Sequence, residues 1–408
     1  MTKPPTSRER LFAAACGGIF LVAIALALLG ATLGMPEVRA RLNLGVAQQG
    51  ELIFLLYFGL LPTALAAGPL LDRLGYKWVM AACALLVAAA LVLFPSTHSF
   101  RAAAFCVFLL GSGAGGLNTV TNTLVSDVFP EQRASRLNAF GMFFGLGGLF
   151  LPLLLATLAH WLPVNTAVWL ASALAALVLG VYLTLGFPPA REAQGINWRD
   201  LAPVFASPGM LTLAVFVFFE SGNEAVLGGF LTTYALSRQI NASAASWALA
   251  GFWAALTLGR GASARLLRRH SKGSVMLGFS GLTLAGCLML CLAATRPTLT
   301  VAAVVCGFGI SAIFPTTLGL IGDRYLRFSG TVFGSLLAAA LTGGMMLPWL
   351  VGAVAQRTSL PSALWIAVAT SAIVLRLAVA VLRGGEGASP TEAPGRLPDP
   401  KRSAIILK

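Results

Sequence analysis

Long apolar runs separated by short polar clusters alternate along the whole chain. Twelve runs of 18 or more residues lie near 11–34, 47–70, 77–95, 100–125, 137–160, 164–186, 208–236, 243–267, 274–294, 298–321, 329–355 and 360–383. A helix rises about 1.5 Å per residue, so each run is long enough to cross roughly 30 Å of hydrocarbon. Within a bilayer the backbone must satisfy its own polar groups, and the pattern therefore predicts twelve helices. The first run follows "MTKPPTSRER" with no small-residue cleavage site, which reads as a retained helix and not a leader.

Composition agrees. Apolar residues make up 57% of the 408 positions and charged residues only 10%, where soluble domains carry about 25%. The mean hydropathy is +0.84. The net charge of +14 suggests nucleic acid until its placement is considered. With the N-terminus cytoplasmic, 21 basic residues (Arg260 and Arg265 among them) fall on that side and six on the other, so the charge records topology. Both termini are expected in the cytoplasm, in a cell inner membrane, with anionic lipid headgroups as the only polyanion nearby. Six cysteines all lie within spans, none in a CxxC pair, and three scattered histidines make no metal cluster. No cofactor is expected, and no nucleic-acid partner.

The chain reads as two halves: a cytoplasmic tail over 1–10, a six-helix bundle over 11–186, a cytoplasmic linker over 187–207, a second bundle over 208–383, and a disordered tail over 384–408. "GGLFLP" at 147–152 is echoed by "GGMMLP" at 343–348, an offset of 196; Asp127 matches Asp323 at the same offset, and Gly68 and Asp72 match Gly261 and Arg265 at 193. Duplication of a six-span half is a transporter signature, with the solute site where the halves meet at mid-membrane.

"GPLLDRLGYK" at 68–77 resembles the signature loop between the second and third spans of the major facilitator superfamily; Gly68, Asp72, Arg73, Gly75 and Lys77 fit it, and Tyr76 stands where a basic residue is common. The resemblance implies an all-α fold of two pseudo-symmetric six-helix bundles, with Gly68, Asp72, Arg73, Asp127 and Arg265 as gate residues. "GLNTVTNTLVSDVFP" at 116–130, "FFESGNEAVLGGFLTTY" at 218–234 and "GFGISAIFPTTLGL" at 307–320 are similar to the fourth, seventh and tenth spans of the fucose–proton symporter and its sugar-transporting relatives. Two departures limit the transfer. Asn118 stands where that branch has a carboxylate, and residues 11–34 carry no acid where it has an aspartate.

The candidate site follows. Glu220 and Glu224 lie one helical turn apart on one face of an apolar span, with Asn223 beside them, and Asn118 and Asn122 are spaced alike on the fourth span. An ionisable group inside a bilayer is by default functional. The expected roles are solute contact and proton or sodium handling, with Glu224 at the family's glutamate position and Glu220 tuning it. Tyr57, Gln48, Gln49, Trp253, Tyr234, Thr317 and Trp349 are weaker cavity candidates, and helix packing is the competing reading of both the glutamates and the asparagines. "GSGAGG" at 111–116 fits a dinucleotide fingerprint but sits inside an apolar span, so it reads as close helix packing. Asn241 opens a glycosylation sequon, a pattern common by chance. With no phosphate-binding loop and no hydrolase motif, the chain is expected to be a monomeric secondary transporter of a small solute, a sugar or polyol first. An exporter of drugs or metabolites is the alternative; "GLGGLFLP" has the glycines of antiporter fifth spans but not their order. A receptor or scaffold, a third class, predicts no cavity between the halves.

Overall fold

The computed structural model describes residues 6–158, 161–189, 208–324 and 329–387. The expected linker, from 190 to 207, and the expected disordered tail, from 388 onward, lie outside them. Among the described residues, eleven helices are long and apolar enough to cross a membrane. One of them, Val46–Ser96, has 51 residues, about 75 Å of helix, and crosses twice. Gly75 breaks it with φ +74° and ψ 166°, a conformation L side chains rarely adopt. The twelve crossings therefore form, in the expected order. Helix Arg8–Thr32 is the first span; 46–74 and 76–93 are the second and third; Phe100–Val128, Arg133–Leu158 and Val164–Thr184 complete the first half. Pro208–Ser237, Ala242–Leu266 and Lys272–Leu292 are the seventh to ninth spans. The tenth is broken into Arg296–Ile310 and Ile313–Arg324, the eleventh is Ser329–Arg357, and the twelfth is Leu360–Ala363 followed by Trp365–Gly387. One short helix, Pro36–Leu42, was not expected; it lies between the first two spans. An even number of crossings puts both ends on one face, here the terminal face; the other is the distal face.

Polar residues set where the spans begin. Ser99, Asn241, Ser271, Thr295 and Ser359 each accept a bond from a backbone N–H three residues on, satisfying one of the four donors a helix start leaves open. Asn241 of the sequon is thus a helix cap. The glycines of "GSGAGG" do what packing requires: added Cβ atoms at Gly111 and Gly115 would meet carbonyl oxygens of Leu56 and Leu60 on the second span, and at Gly113 that of Cys83 on the third.

The two halves repeat each other contact by contact. Gly147 of the fifth span packs on the Phe20 carbonyl of the first; Gly343 of the eleventh packs on the Phe218 carbonyl of the seventh. Ser172 Oγ donates to Ala88 O at 3.0 Å, and Ser371 Oγ lies 3.4 Å from Cys287 Sγ. Arg41 donates to Pro95 O at 2.5 Å, and Arg238 to Ala293 O at 3.0 Å. The offsets run from 196 to 199, so the duplication read from the sequence is a duplication of structure.

Between the halves, the seams close at the distal face and part toward the terminal face. On the pseudo-axis, Gly30 of the first span meets the Gly228 carbonyl of the seventh, and Thr232 Oγ1 donates to Gly30 O. A Cβ on Gly50 would lie 2.6 Å from Pro348 O, and one on Gly352 3.1 Å from Gly50 Cα. Gly68 and Gly334 are each 18 residues, five turns, further along the same two helices and so on the same faces. There an added Cβ meets nothing within 4 Å among the described residues, and Gly141 and Gly261 are equally open. The second and eleventh spans touch backbone to backbone at one end and stand apart at the other.

A polar clamp seals the distal end. Gln49, fully buried, donates through Nε2 to Gly229 O at 2.8 Å and accepts from Thr233 Oγ1 at 2.9 Å, binding the second span to the seventh. Arg39 of the short helix caps it at 3.5 Å and donates to Leu44 O at 2.8 Å; burial lowers its pKa from the ordinary arginine value.

Two outcomes test this geometry. Gly50→Val overpacks the touching backbones and is expected to cost about 1–3 kcal/mol, seen as a lower melting temperature of the purified protein. Gly334→Ala, in open space, is expected to stay within about 0.5 kcal/mol of the parent, and equal effects at the two sites refute the splayed arrangement. Gln49→Leu, close in size but unable to bond either partner, is expected to speed hydrogen–deuterium exchange in peptides covering 226–236. Unchanged exchange there rules out the clamp.

Candidate functional site

Directly below the Gly30–Gly228 contact, toward the terminal face, lies a recess lined by the first, second, seventh and eighth spans. Leu26, Tyr57, Glu224, Gly228 and Trp253 are among its walls. Its roof is built from the repeat itself. Tyr57 of the second span packs on Gly344 of the eleventh, and Trp253 of the eighth packs on Gly148 of the fifth, both pairs related by an offset of 196. Glycine at 148 and 344 leaves room for a ring, and each ring plugs the seam opposite.

The chemistry sits in the second half alone. Glu220 and Glu224 lie mid-way along the 30-residue seventh span. Glu220 is 1% exposed; its Oε2 accepts from Ser221 Oγ at 3.2 Å, and its Oε1 has no partner among the described residues. Glu224 is half-buried and faces the recess. Trp253 Nε1 is a buried donor without a partner among the described residues. Phe144 of the fifth span sits 6.1 Å from Trp253, ring to ring, and the Arg260 guanidinium lies over the Phe144 ring at 4.8 Å. Arg260 Nη1 donates to Gly141 O at 3.4 Å, its Nε is buried without a partner among the described residues, and it interacts electrostatically with Glu224 first and Glu220 second. At the recess the Trp253 indole N–H therefore stands unsatisfied among the described residues, as do Glu220 Oε1 on the seventh span and Arg260 Nε on the eighth. Each such buried group costs about 1–3 kcal/mol unless something binds it, more where charged.

Arg260 is the residue that sequence reasoning misplaced. Counted with the charges of the terminal face, it lies inside Ala242–Leu266, two turns from Trp253. The signal was present, because a span expected over 243–267 already encloses it. Gln49 was likewise weighed as a solute contact and belongs to the distal clamp, and Gln48 caps its own helix through Gly45 N at 2.8 Å.

The other expected residues are placed as follows. Asn223 is turned away from the recess: it accepts from Thr370 Oγ1 at 2.5 Å and donates to Ser371 Oγ at 3.2 Å, tying the seventh span to the twelfth. Asn118 and Asn122 share one face; Asn122 Nδ2 donates to Asn118 O at 2.7 Å, and no hydrogen bond among the described residues links the pair to the glutamates. Tyr234 bonds Leu290 O and Thr317 its own helix, so neither reaches the site, while Trp349 lines a separate crevice with Glu51. At the terminal face Asp72, Arg73 and Arg265 are exposed. The one ion pair within 4.0 Å among the described residues is Glu9–Arg136 at 2.8 Å, so Asp72 forms none in this state. Asp127 accepts from Tyr76 Oη at 2.6 Å, joining the terminal-face ends of the third and fourth spans. No group of three or more His, Cys, Asp or Glu suited to a metal occurs among the described residues.

A family model described as Major Facilitator Superfamily matches residues 15–221 and again 213–407. A glucose/galactose transporter of Brucella abortus is 24% identical over 345 residues, 79% of this chain and 82% of that one. The glucose/mannose transporter GlcP of Bacillus subtilis is 24% identical over 319 residues (74% and 77%), and the uncharacterised transporter YfkL of the same organism 25% over 320 (73% and 78%). Among solved structures, a variant of the nucleoside transporter NupG superposes with TM-score 0.77 at 15% identity, covering 91% of this chain and 99% of that one. A variant of the Escherichia coli fucose:proton symporter FucP does so with 0.63 at 21%, covering 92% and 99%. With twelve crossings, duplicated halves and a recess between them, the chain belongs to the major facilitator superfamily and is a multi-pass membrane transporter.

Proposed function

We propose that the protein moves a sugar or related polyol across a cell inner membrane by alternating access, together with a proton or sodium ion. The observation that carries this is the recess, where the Glu224 carboxylate shares the walls with the Tyr57 ring and with the Trp253 indole, whose buried Nε1 has no partner among the described residues. A polyhydroxylated solute offers donors and acceptors together, and its ring faces stack on aromatic side chains. Relatives named for glucose, galactose and mannose support the same class. The recess is complete within one chain, which favours a functional monomer. Moving Arg260 into the membrane leaves 20 basic residues on the terminal side against six, so that face is assigned to the cytoplasm. The described state is then the one open to the cytoplasm.

Coupling is assigned to Glu224, the carboxylate with access to the recess, and tuning to Glu220 behind it. The terminal gate is assigned to Gly68, Asp72, Arg73, Asp127 and Arg265. Gly68 and Gly334, both in open space now, are the positions at which the second and eleventh spans would meet when that face closes. Asn118 and Asn122 are assigned to the solute path from the fourth span, and Asn223 to holding the seventh span in place.

Two experiments test the reading. In proteoliposomes, Glu224→Gln keeps shape and hydrogen bonding but cannot titrate. It is expected to retain sugar counterflow while losing accumulation driven by a proton or sodium gradient, and parent-like accumulation removes Glu224 from the coupling role. Asp72→Asn acts on the gate and not the recess. Turnover is therefore expected to fall several-fold with solute affinity little changed, since only the balance of states is altered.

A further inference from the structure

We propose that Arg260 is the mobile countercharge of Glu224: the two pair in the state closed at the terminal face and are parted in the open state described here. The proposal rests on the reading that Glu224 is the coupling carboxylate, and it adds the residue that exchanges with the coupling ion.

The charges are one-sided. The repeat places Leu26 opposite Glu224 and Ala64 opposite Arg260, so the first half supplies no countercharge at either position. Two carboxylates and one guanidinium share the centre of the protein, where a low dielectric makes unpaired charge expensive. Yet no ion pair joins them within 4.0 Å among the described residues. Arg260 instead reaches across to the other half, with one long bond to Gly141 O and the face of Phe144. A guanidinium has five N–H donors, and its Nε is buried with no partner among the described residues. This is a cation held aside, not one settled in a structural pair.

The seam explains what would move it. Trp253 packs on Gly148, Thr257 on Gly145, and Arg260 bonds Gly141, about one contact per turn along the eighth and fifth spans. At the level of Arg260 the seam opens: an added Cβ at Gly141 or Gly261 would meet nothing within 4 Å among the described residues. When the terminal face closes, these helices approach at the level of Arg260, and the space it occupies over Gly141 narrows. The seventh span is the side on which it finds a carboxylate, and Glu224 is the one it feels most strongly. A proton or sodium ion on Glu224 removes the attraction, so ion and guanidinium compete for one carboxylate and the coupling ion biases the state.

A double-mutant cycle decides the matter without a solute. Melting temperatures of purified parent, Glu224→Gln, Arg260→Gln and the double variant are expected to be non-additive, the double variant melting higher than the two single shifts predict. Glu220→Gln combined with Arg260→Gln is expected to lie closer to additive. In proteoliposomes, D-glucose counterflow by Arg260→Gln is expected to fall on the order of tenfold, and to recover most of that loss in the double variant. A purely structural role, tying Gly141 and Phe144, gives additive shifts and no recovery, and that result overturns the pairing. Should Arg260→Gln not survive purification, Arg260→Met, which removes the charge at similar length, takes its place, and additivity there overturns the proposal equally. If the parent moves no glucose while the melting cycle is non-additive, the sugar reading falls and the assignment of Arg260 stands. If glucose moves and the cycle is additive, the reverse holds.

Discussion

The structure depends on a backbone contact at one crossing, where Gly30 of the first span lies against Gly228 of the seventh. Lipid tails are as apolar as the side chains they meet, so helices in a bilayer associate by close packing and polar contacts, not by expelling water. A Cβ at Gly30 would fall on the Gly228 carbonyl, and with it absent Thr232 can donate to Gly30 O. The two flanking seams follow from this closeness. They are the second span on the eleventh and the fifth on the eighth, again glycine against backbone or ring. The recess exists because the crossing holds its roof while the helices diverge below.

Two kinds of order are superposed in these halves. The mechanical parts obey the repeat: Gly147 and Gly343, and Tyr57 on Gly344 with Trp253 on Gly148. The charged parts break it, because Glu224 and Arg260 answer to Leu26 and Ala64. A rocking motion needs matching seams on both sides of the axis, or one side would bind while the other opened. Charge coupling needs the opposite. A second set of carboxylates in the first half would repel the first across the same recess, and a single set lets one bound ion change the balance. The duplication thus supplies the hinge, and its local failure supplies the chemistry.

The spans, their order and the repeat were legible because a bilayer imposes length and apolarity on every crossing, and both survive in sequence. "GSGAGG" was legible for a related reason, since small residues inside an apolar run have little use other than close approach. What sequence does not carry is rotation about the helix axis once lipid-facing and buried sides are equally apolar. Asn223 and Glu224 are neighbours 100° apart; one turns to Thr370 and the other to the recess, and only packing decides which. Arg260 was lost differently. Counting arginines by side of the membrane treats them as interchangeable, and a residue inside a span boundary was scored as though it lay beyond it. Gln49 looked like a solute ligand because a buried amide suits either role, and its partner, the Gly229 carbonyl, is a backbone atom 180 residues away.

The two ends of the molecule are made of different materials, and this bears on how the proposed cycle can run. The distal end closes through backbone contact and three buried hydrogen bonds, from Gln49 to Gly229, Thr233 to Gln49, and Thr232 to Gly30. At about 1 kcal/mol net apiece they amount to a few kilocalories, the size of bias that a solute's preference for one state can overcome. The terminal end, by contrast, holds exposed charges, Asp72, Arg73 and Arg265, whose attraction in water is weak and grows only as the face shuts and excludes solvent. Closing that end therefore draws its stabilisation late, after the helices have approached, and needs something already present at the centre to start it. A group in the recess that changes its charge partner on loading, at the level where the fifth and eighth spans begin to part, is placed where that start must occur.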